Sequence, residues 1–363
     1  MKLFINILLL SIVFIGCSST KSNIAQVSIS PNTVSQEKNI NQNTKQLSTS
    51  KSFIKDIFTF KKKTTLLYSS NKLGKYAIDA TNVSLAYLIT KDKPFDLEII
   101  DMKDESWESF TKALNEAKQK DSKNIVAVIT NASYENLIDV GGVENFNIFL
   151  PLINKNNVAK VSKNIIYGGV DYQKQFNALL EYSNNKDISL YDNSLFGKIL
   201  NNQLEEIDNS LLFTKEIDDF SGFYGELLDK NRKKLNNSTL FLNTPIVKSS
   251  ILLSQLRANK ISPNRVLSTQ MNYTPLILSL TQADDRKNLI IANSIRDIDR
   301  QLKENIANLG CDVVYDWLTY STLVGVDYFY TRDNRIEPII LDNQVQYGIE
   351  LYKAKYHSFK KLN

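Results

Sequence analysis

The chain has 363 residues, 42% of them hydrophobic, and carries 44 Lys+Arg against 39 Asp+Glu, a formal charge of +5. That length is room for two domains of ordinary size once a polar N-terminal stretch is set aside, and the charges are interspersed, so the basic stripe that nucleic acid requires is missing. One histidine (His357) and two cysteines (Cys17, Cys311) are too few for a zinc site of the usual ligand count or for a histidine-based triad, so neither a metal nor a cofactor is expected.

Residues 1–20 read "MKLFINILLLSIVFIGCSST". Lys2 supplies a short positive start, and residues 3–15 form an apolar run too short for a stable membrane span but suited to a secretory leader. The run ends at Phe14-Ile15-Gly16-Cys17, which resembles the bacterial lipoprotein signal, a small residue before a lipidated cysteine. That resemblance implies a signal peptide over 1–16 and an acylated Cys17 holding the chain to a lipid bilayer, because several acyl chains anchor where one does not. Ser18 is not acidic, which favours the outer membrane. Residues 18–52 are almost all Ser, Thr, Asn, Gln and Lys and cannot bury enough apolar surface to order themselves. A tether is expected over 17–62, and the roughly 35 residues of its polar stretch 18–52 would reach roughly 30–35 Å on average.

From residue 64 short β-rich runs alternate with helical patterns. "TTLLYSS" (64–70) predicts a strand, and residues 75–89 predict a helix with Tyr76, Ala80, Val83 and Tyr87 on one face. A strand at 95–102, a helix at 106–120 capped by Ser106, a strand at 124–130, a helix from Ala132 to Gly141-Gly142 and a strand at 146–153 follow. The polar interval 153–164 is the expected first crossing between lobes. The rhythm then restarts with "NIIYGGV", a helix 171–183, "ISLYD", a helix 195–208, "LLFTKEI", a helix 221–236, "TLFLNT", a helix 245–259, "RVLSTQM", a helix 274–284 and "LIIANS". Residues 297–332 read as helical, and 336–354 as a hairpin turning at Asp342-Asn343. This is an α/β chain of two doubly wound parallel-sheet lobes: lobe 1 over 63–155, lobe 2 over 156–287, a return to lobe 1 over 288–336, and a closing hairpin and tail over 337–363.

"TTLLYSSNKLGKYAIDATNVSLAYLI", with its Gly74-Lys75-Tyr76-Ala77 step, "NIVAVITNAS" and "VVYDWLTYSTLVGVDYF" resemble segments of type 1 periplasmic binding proteins. The resemblance covers about 64–355 and implies two lobes closing on a ligand. Within that fold the chain is similar to branched-chain amino acid receptors and to lipoprotein activators of penicillin-binding proteins.

Ligands of open α/β sheets sit beyond the carboxyl ends of the strands. Ser69 and Ser70 follow the first strand, Asn131 and Ser133 the third, with Tyr76 as an apolar wall. The helix start at 132–133 is an expected carboxylate site, through its free amides and the Ser133 hydroxyl. Across the cleft Asp192 and Asn193 follow one strand, Asn243 and Thr244 another. The Ser, Asn and Thr side chains among these are also of types that cap helices for structural reasons alone. Asp192 is the one acidic residue among them, a thin provision for an amino acid's ammonium group. No catalytic constellation appears: Asp104-Glu105 and Asp218-Asp219 read as solvated loop pairs, and no phosphate-binding glycine loop is present. The expectation is therefore a non-enzymatic envelope lipoprotein that binds either a small solute or a partner in peptidoglycan synthesis through its cleft. The alternative is a receptor of amino acid type for an ATP-driven importer.

Overall fold

The computed structural model describes residues 62–362 apart from 93, 219–221, 332–334 and 338. The leader, Cys17 and the tether lie outside the described residues.

Fourteen described strands run β1 (Lys62–Tyr68), β2 (Phe95–Asp101), β3 (Asn124–Val128), β4 (Asn147–Leu150), β5 (Ile165–Tyr167), β6 (Asp187–Asp192), β7 (Leu211–Ile217), β8 (Thr239–Asn243), β9 (Arg265–Ser268), β10 (Leu289–Asn293), β11 (Ile340–Leu341), β12 (Gln344–Val345), β13 (Glu350–Ala354) and β14 (Phe359–Lys361). They form two seven-stranded sheets, ordered β11-β12-β5-β4-β3-β1-β2 and β14-β13-β10-β9-β8-β6-β7. The first five strands of each are parallel and share one winding, 2-1-3-4-5; beside β5 lies β12, parallel to it, with β11 antiparallel beyond, whereas β13 is added antiparallel to β10. The order in which strands are added reverses between β1 and β3, and again between β6 and β8, although each pair is parallel. Those are the two switch points where such sheets leave a crevice.

Continuous apolar runs make strands buried on both faces. Leu66 faces the core under the helices Tyr76–Thr90 and Trp317–Tyr330, whereas its neighbour Leu67 faces the opposite core with Phe110 and Leu137. The second sheet repeats this, with Leu240 and Leu242 in one core and Phe241 in the other. The predicted face of the first long helix is buried at Ala80, Val83 and Tyr87, but Tyr76 is 43% exposed because the first turn presents its neighbour Ala77, 4% exposed, to the core instead.

The structure corrects several expected boundaries. Ile165–Tyr167 is the fifth strand of the first sheet, not the first of the second. The polar interval before it holds only a 3-10 turn, Lys155–Asn157, and stays within lobe 1. The chain crosses at Gly168-Gly169, where glycine is needed for close approach. A Cβ would stand 2.5 Å from the Phe149 ring at Gly168, and 2.4 Å from the Asn154 nitrogen at Gly169. Likewise β10 stays in the second sheet, so the return to lobe 1 begins after Asn293 rather than at 288. The closing hairpin is confined to β11–β12, turning at Asp342 and Asn343 with φ of 47° and 65°, the left-handed pair of a two-residue turn. Beyond it β13 and β14 go back to the second sheet. The helix expected over 221–236 is broken into Gly225–Lys230 and Arg232–Leu235, and that over 274–284 shrinks to Leu276–Leu280.

Candidate functional site

Ser69 and Ser70 follow β1, and Thr130, Asn131 and Ser133 follow β3, so they flank the switch point of the first sheet. Asp192 and Asn193 follow β6, and Asn243 and Thr244 close and follow β8, flanking that of the second.

In the first lobe Ser69 and Ser133 turn inward, whereas Tyr76 and Asn131 stay exposed. Ser69 is buried and its Oγ donates to the Lys103 carbonyl at 2.7 Å. The Ser70 N–H donates to Asp101 Oδ1 at 3.0 Å. Burial works against the Asp101 charge, but Lys103 and the Ser70 amide outweigh it and hold the carboxyl at about 2. Tyr76 carries the Lys75 ammonium 5.3 Å from its ring. Asn131 is exposed, its Nδ2 donating to the Asn157 carbonyl at 3.5 Å. Ser133 is buried and its Oγ donates to the Thr130 carbonyl at 2.9 Å.

The expected carboxylate site at 132–133 takes a different form. Residues Asn131–Ser133 are a 3-10 turn, and the helix Tyr134–Ile138 that follows has five residues. A carboxylate is already present beside them, and it belongs to the chain. Glu105 is only 6% exposed. Its Oε1 accepts the Thr130 N–H at 3.0 Å, its Oε2 accepts the Thr130 hydroxyl, and its backbone carbonyl accepts Asn136 Nδ2 at 2.9 Å. The Asp104-Glu105 pair is thus not uniformly solvated. Asp104 is exposed and caps through Ser106 and Ser109, whereas Glu105 is folded in. Periodicity carries no signal for this, because the two acids lie in a loop.

The second lobe repeats the theme with opposite sign. Asp192 is 3% exposed. Its Oδ1 accepts the Ser194 N–H at 2.9 Å, and its Oδ2 accepts from the ammonium of Lys248, itself 8% exposed and also donating to the Ile217 carbonyl at 3.3 Å. Burial alone would raise the Asp192 carboxyl; Lys248 and Ser194 reverse that and keep it below the ordinary carboxylate range. The helix Leu195–Ile207 starts so close that a Cβ on Gly197 would meet the Asp192 carbonyl oxygen at 2.3 Å. Lys248 escaped the sequence reading, although a lysine inside "PIVKSSILL" is a signal that it had to be paired.

Asn193 is half-buried. Asn243 and Thr244 belong to a buried polar cluster. Asn243 Nδ2 donates to Ser189 Oγ at 3.4 Å, and the Thr244 and Ser249 hydroxyls lie 2.7 Å apart. Asn272 Nδ2 reaches the Thr244 carbonyl, Ser249 Oγ and Ser268 Oγ at 3.1, 3.0 and 2.8 Å. Beside it Gln175 Nε2 donates to Gln270 Oε1 and Ser294 Oγ at 3.0 and 2.8 Å. Asn243 Oδ1, Thr269 Oγ1, Gln270 Nε2 and Asn272 Oδ1 are buried without a partner. Gln175, Gln270 and Asn272 are additions that only the fold assembles.

Cavities of about 460–510 Å³ lie elsewhere. One, about 510 Å³, opens beside the crossing segment between Asn293, Arg296, Val313 and Tyr352. There Tyr315, on the loop entering the helix Trp317–Tyr330, packs 5.2 Å from Tyr273 and 5.9 Å from Phe359 of the second lobe. Among the described residues no cluster of three or more His, Cys, Asp or Glu is placed to hold a metal ion, and no helix is long and apolar enough to cross a membrane.

No family model and no curated protein matches this sequence. Solved structures do. The fold is similar to a putative branched-chain amino acid ABC transporter protein of Rhodospirillum rubrum, at 10% identity and TM-score 0.64 over 84% of this chain and 100% of that one. It is similar to a branched-chain amino acid ABC transporter protein of Thermus thermophilus with bound valine, at 14% identity and TM-score 0.62 over 84% and 96%. It is also similar to the C-domain of LpoA from Haemophilus influenzae, a regulator of PBP1A, at 10% identity and TM-score 0.57 over 83% and 100%. Against a longer LpoA chain the match covers 61% of its length. The architecture is that of the two-lobed type 1 periplasmic binding proteins.

Proposed function

We propose that this protein is a non-enzymatic lipoprotein of the bacterial cell envelope, held to the bilayer through an acylated Cys17, that acts by docking a protein of peptidoglycan synthesis rather than by capturing a free amino acid. One observation carries the reading. The two poles that a zwitterionic amino acid would need are both filled from within, Glu105 standing on the Thr130 amide and Lys248 on Asp192. A ligand would have to displace a buried charge at each pole and leave it unpaired, at several kcal/mol apiece. The likeness to the LpoA domain, named as a regulator of PBP1A, supplies the class of partner.

The second reading is solute capture for an ATP-driven importer. It is favoured by the four orphaned polar atoms of the second lobe, which a polar solute would satisfy, and by the length match to transporter receptors.

A thermal-shift series with amino acids, peptides and muropeptides, run beside binding of purified bifunctional penicillin-binding proteins to the immobilised chain, separates the two. Binding of such a synthase with no shift from any amino acid is the expected result. A saturable shift with a single amino acid, and no synthase binding, would overturn the reading. For a solute at a hundredfold excess over Kd that shift corresponds to about 2.7 kcal/mol.

A further inference from the structure

At the amino end of β6 two aspartates meet that have no counter-ion among the described residues. Asp187 is fully buried and Asp208, just after the helix Leu195–Ile207, is 6% exposed. Ser183 Oγ lies 2.7 Å from both Asp187 carboxylate oxygens. Ser210 Oγ lies 2.8 Å from Asp187 Oδ2 and 2.7 Å from Asp208 Oδ1, and the Ser210 N–H donates to Asp208 Oδ1 at 2.8 Å. Each hydroxyl has one proton to give, so three hydrogens serve two carboxylates, and Asp208 Oδ2 is buried with no partner. Neither aspartate forms an ion pair among the described residues.

The remaining charges on the surrounding elements do not correct this. Glu181 and Lys186, on either side of Ser183, are exposed. Glu205 accepts from Asn201 at 2.8 Å and Glu206 from Gln173 at 3.1 Å. Lys215 on β7 lies four residues beyond the start of that strand, and β8 opposite Asp187 presents Thr239, whose hydroxyl donates to Asn184 Oδ1 at 2.8 Å. Burial raises the Asp187 carboxyl, the two serine hydroxyls pull it back, and the neighbouring Asp208 lifts it again, leaving it above the ordinary carboxylate value.

We propose that Asp187 and Asp208 share one proton, donated from the carboxyl of one to the carboxylate of the other, and that this proton fastens the edge strand β7 to its sheet. The placement suits the task. Asp187 sits opposite Leu211, the first residue of β7, and its N–H donates to the Ser210 carbonyl at 3.3 Å. The register then slips: Ile188 faces Phe213, and Leu212, 69% exposed, is the extra residue of a bulge. The pair thus joins the end of a helix, the start of β6 and the bulged start of the edge strand. Loss of the proton sets two like charges across that joint.

The sign follows from linkage. A carboxyl raised in the folded state binds its proton more tightly there than in the unfolded chain. Its contribution is complete below the ordinary aspartate value and is lost as pH rises through the raised one. The test is the melting temperature of the full chain from pH 4.5 to 8, for the wild type and for Asp208→Asn, whose amide supplies the missing hydrogen at every pH. Asp316 and Glu337 in the first lobe are also raised by burial, so the readout is the difference between the two proteins. That difference should swing in favour of the variant by several degrees as pH rises. Parallel profiles would overturn the proposal. A wild-type melting temperature raised by millimolar calcium at pH 8, with no such rise in the variant, would also overturn it, in favour of a cation between the carboxylates. Hydrogen exchange on the wild type alone covers a variant that fails to fold. Amides at 211–213, corrected for intrinsic rate, should lose protection at pH 8 relative to pH 5; unchanged protection would refute the fastening.

Discussion

Glu105 Oε1 accepts the Thr130 N–H at 3.0 Å, which places a carboxylate of the chain over the end of β3, where the fold leaves a crevice. The protein supplies at this point the charge that a ligand of the same chemistry would otherwise bring.

Replacing Glu105 with alanine removes that charge and leaves the Thr130 amide and hydroxyl without partners. The cost should be about 1–3 kcal/mol of stability by chemical denaturation. Acetate or formate should then raise the melting temperature of Glu105→Ala and leave the wild type unchanged. A variant indifferent to small carboxylates would show that the emptied position does not hold an anion.

Lys248→Met leaves Asp192 buried and unpaired, and should cost about 3–5 kcal/mol at pH 7. Asp192 sits below its ordinary value in the wild type, so the pair's contribution is present at neutral pH and is lost only as pH falls through that depressed value. In the variant the aspartate becomes neutral well before that point. The stability gap between the two proteins should therefore narrow from pH 7 toward pH 4, as read from urea midpoints. A gap independent of pH would show that Lys248 matters for packing rather than charge.

Gly169→Ala drives a Cβ to 2.4 Å from the Asn154 nitrogen. Backbone cannot swing aside as a side-chain tip can, so a loss of about 1–3 kcal/mol or more is expected. Gly348→Ala, in the third crossing, between β12 and β13, meets nothing within 4 Å and should stay within about 0.5 kcal/mol of the wild type. Equal losses at the two positions would remove close approach as the reason for glycine at the first crossing.

Cys311 is 6% exposed, and burial pushes its thiol to about 11, so at pH 8 it should react with Ellman's reagent only after unfolding. Protein extracted from membranes with an acylated Cys17 should show no reactive thiol when native and one in denaturant. One native and two denatured thiols, with an uncleaved N-terminal mass, would refute the anchor.

The repeating β-α order and the parallel character of the strands were legible because unbroken apolar runs such as Ile125–Ile129 suit only strands covered on both faces. The lobe boundaries were not. Ile165–Tyr167 reads alike whichever sheet it joins, and its choice depends on Phe149 and Leu150 beside it in space. The candidate residues at strand ends were named from local rules, and the structure puts them at the two switch points. What each one bonds to was hidden, since Thr130 meets Glu105 across 25 positions and Asp192 meets Lys248 across 56.

The amino-acid order by itself determined the alternation of strands and helices up to β10, that they form two doubly wound lobes, and which side chains stand at the strand ends, because periodicity and capping act over a few residues. Tertiary structure alone decided that Glu105 and Lys248 fill those positions, that Asp187 and Asp208 meet without a counter-ion among the described residues, and where the chain changes lobes. Charges and hydrogen-bond partners pair by distance in space, and that distance is set only once both sheets have formed.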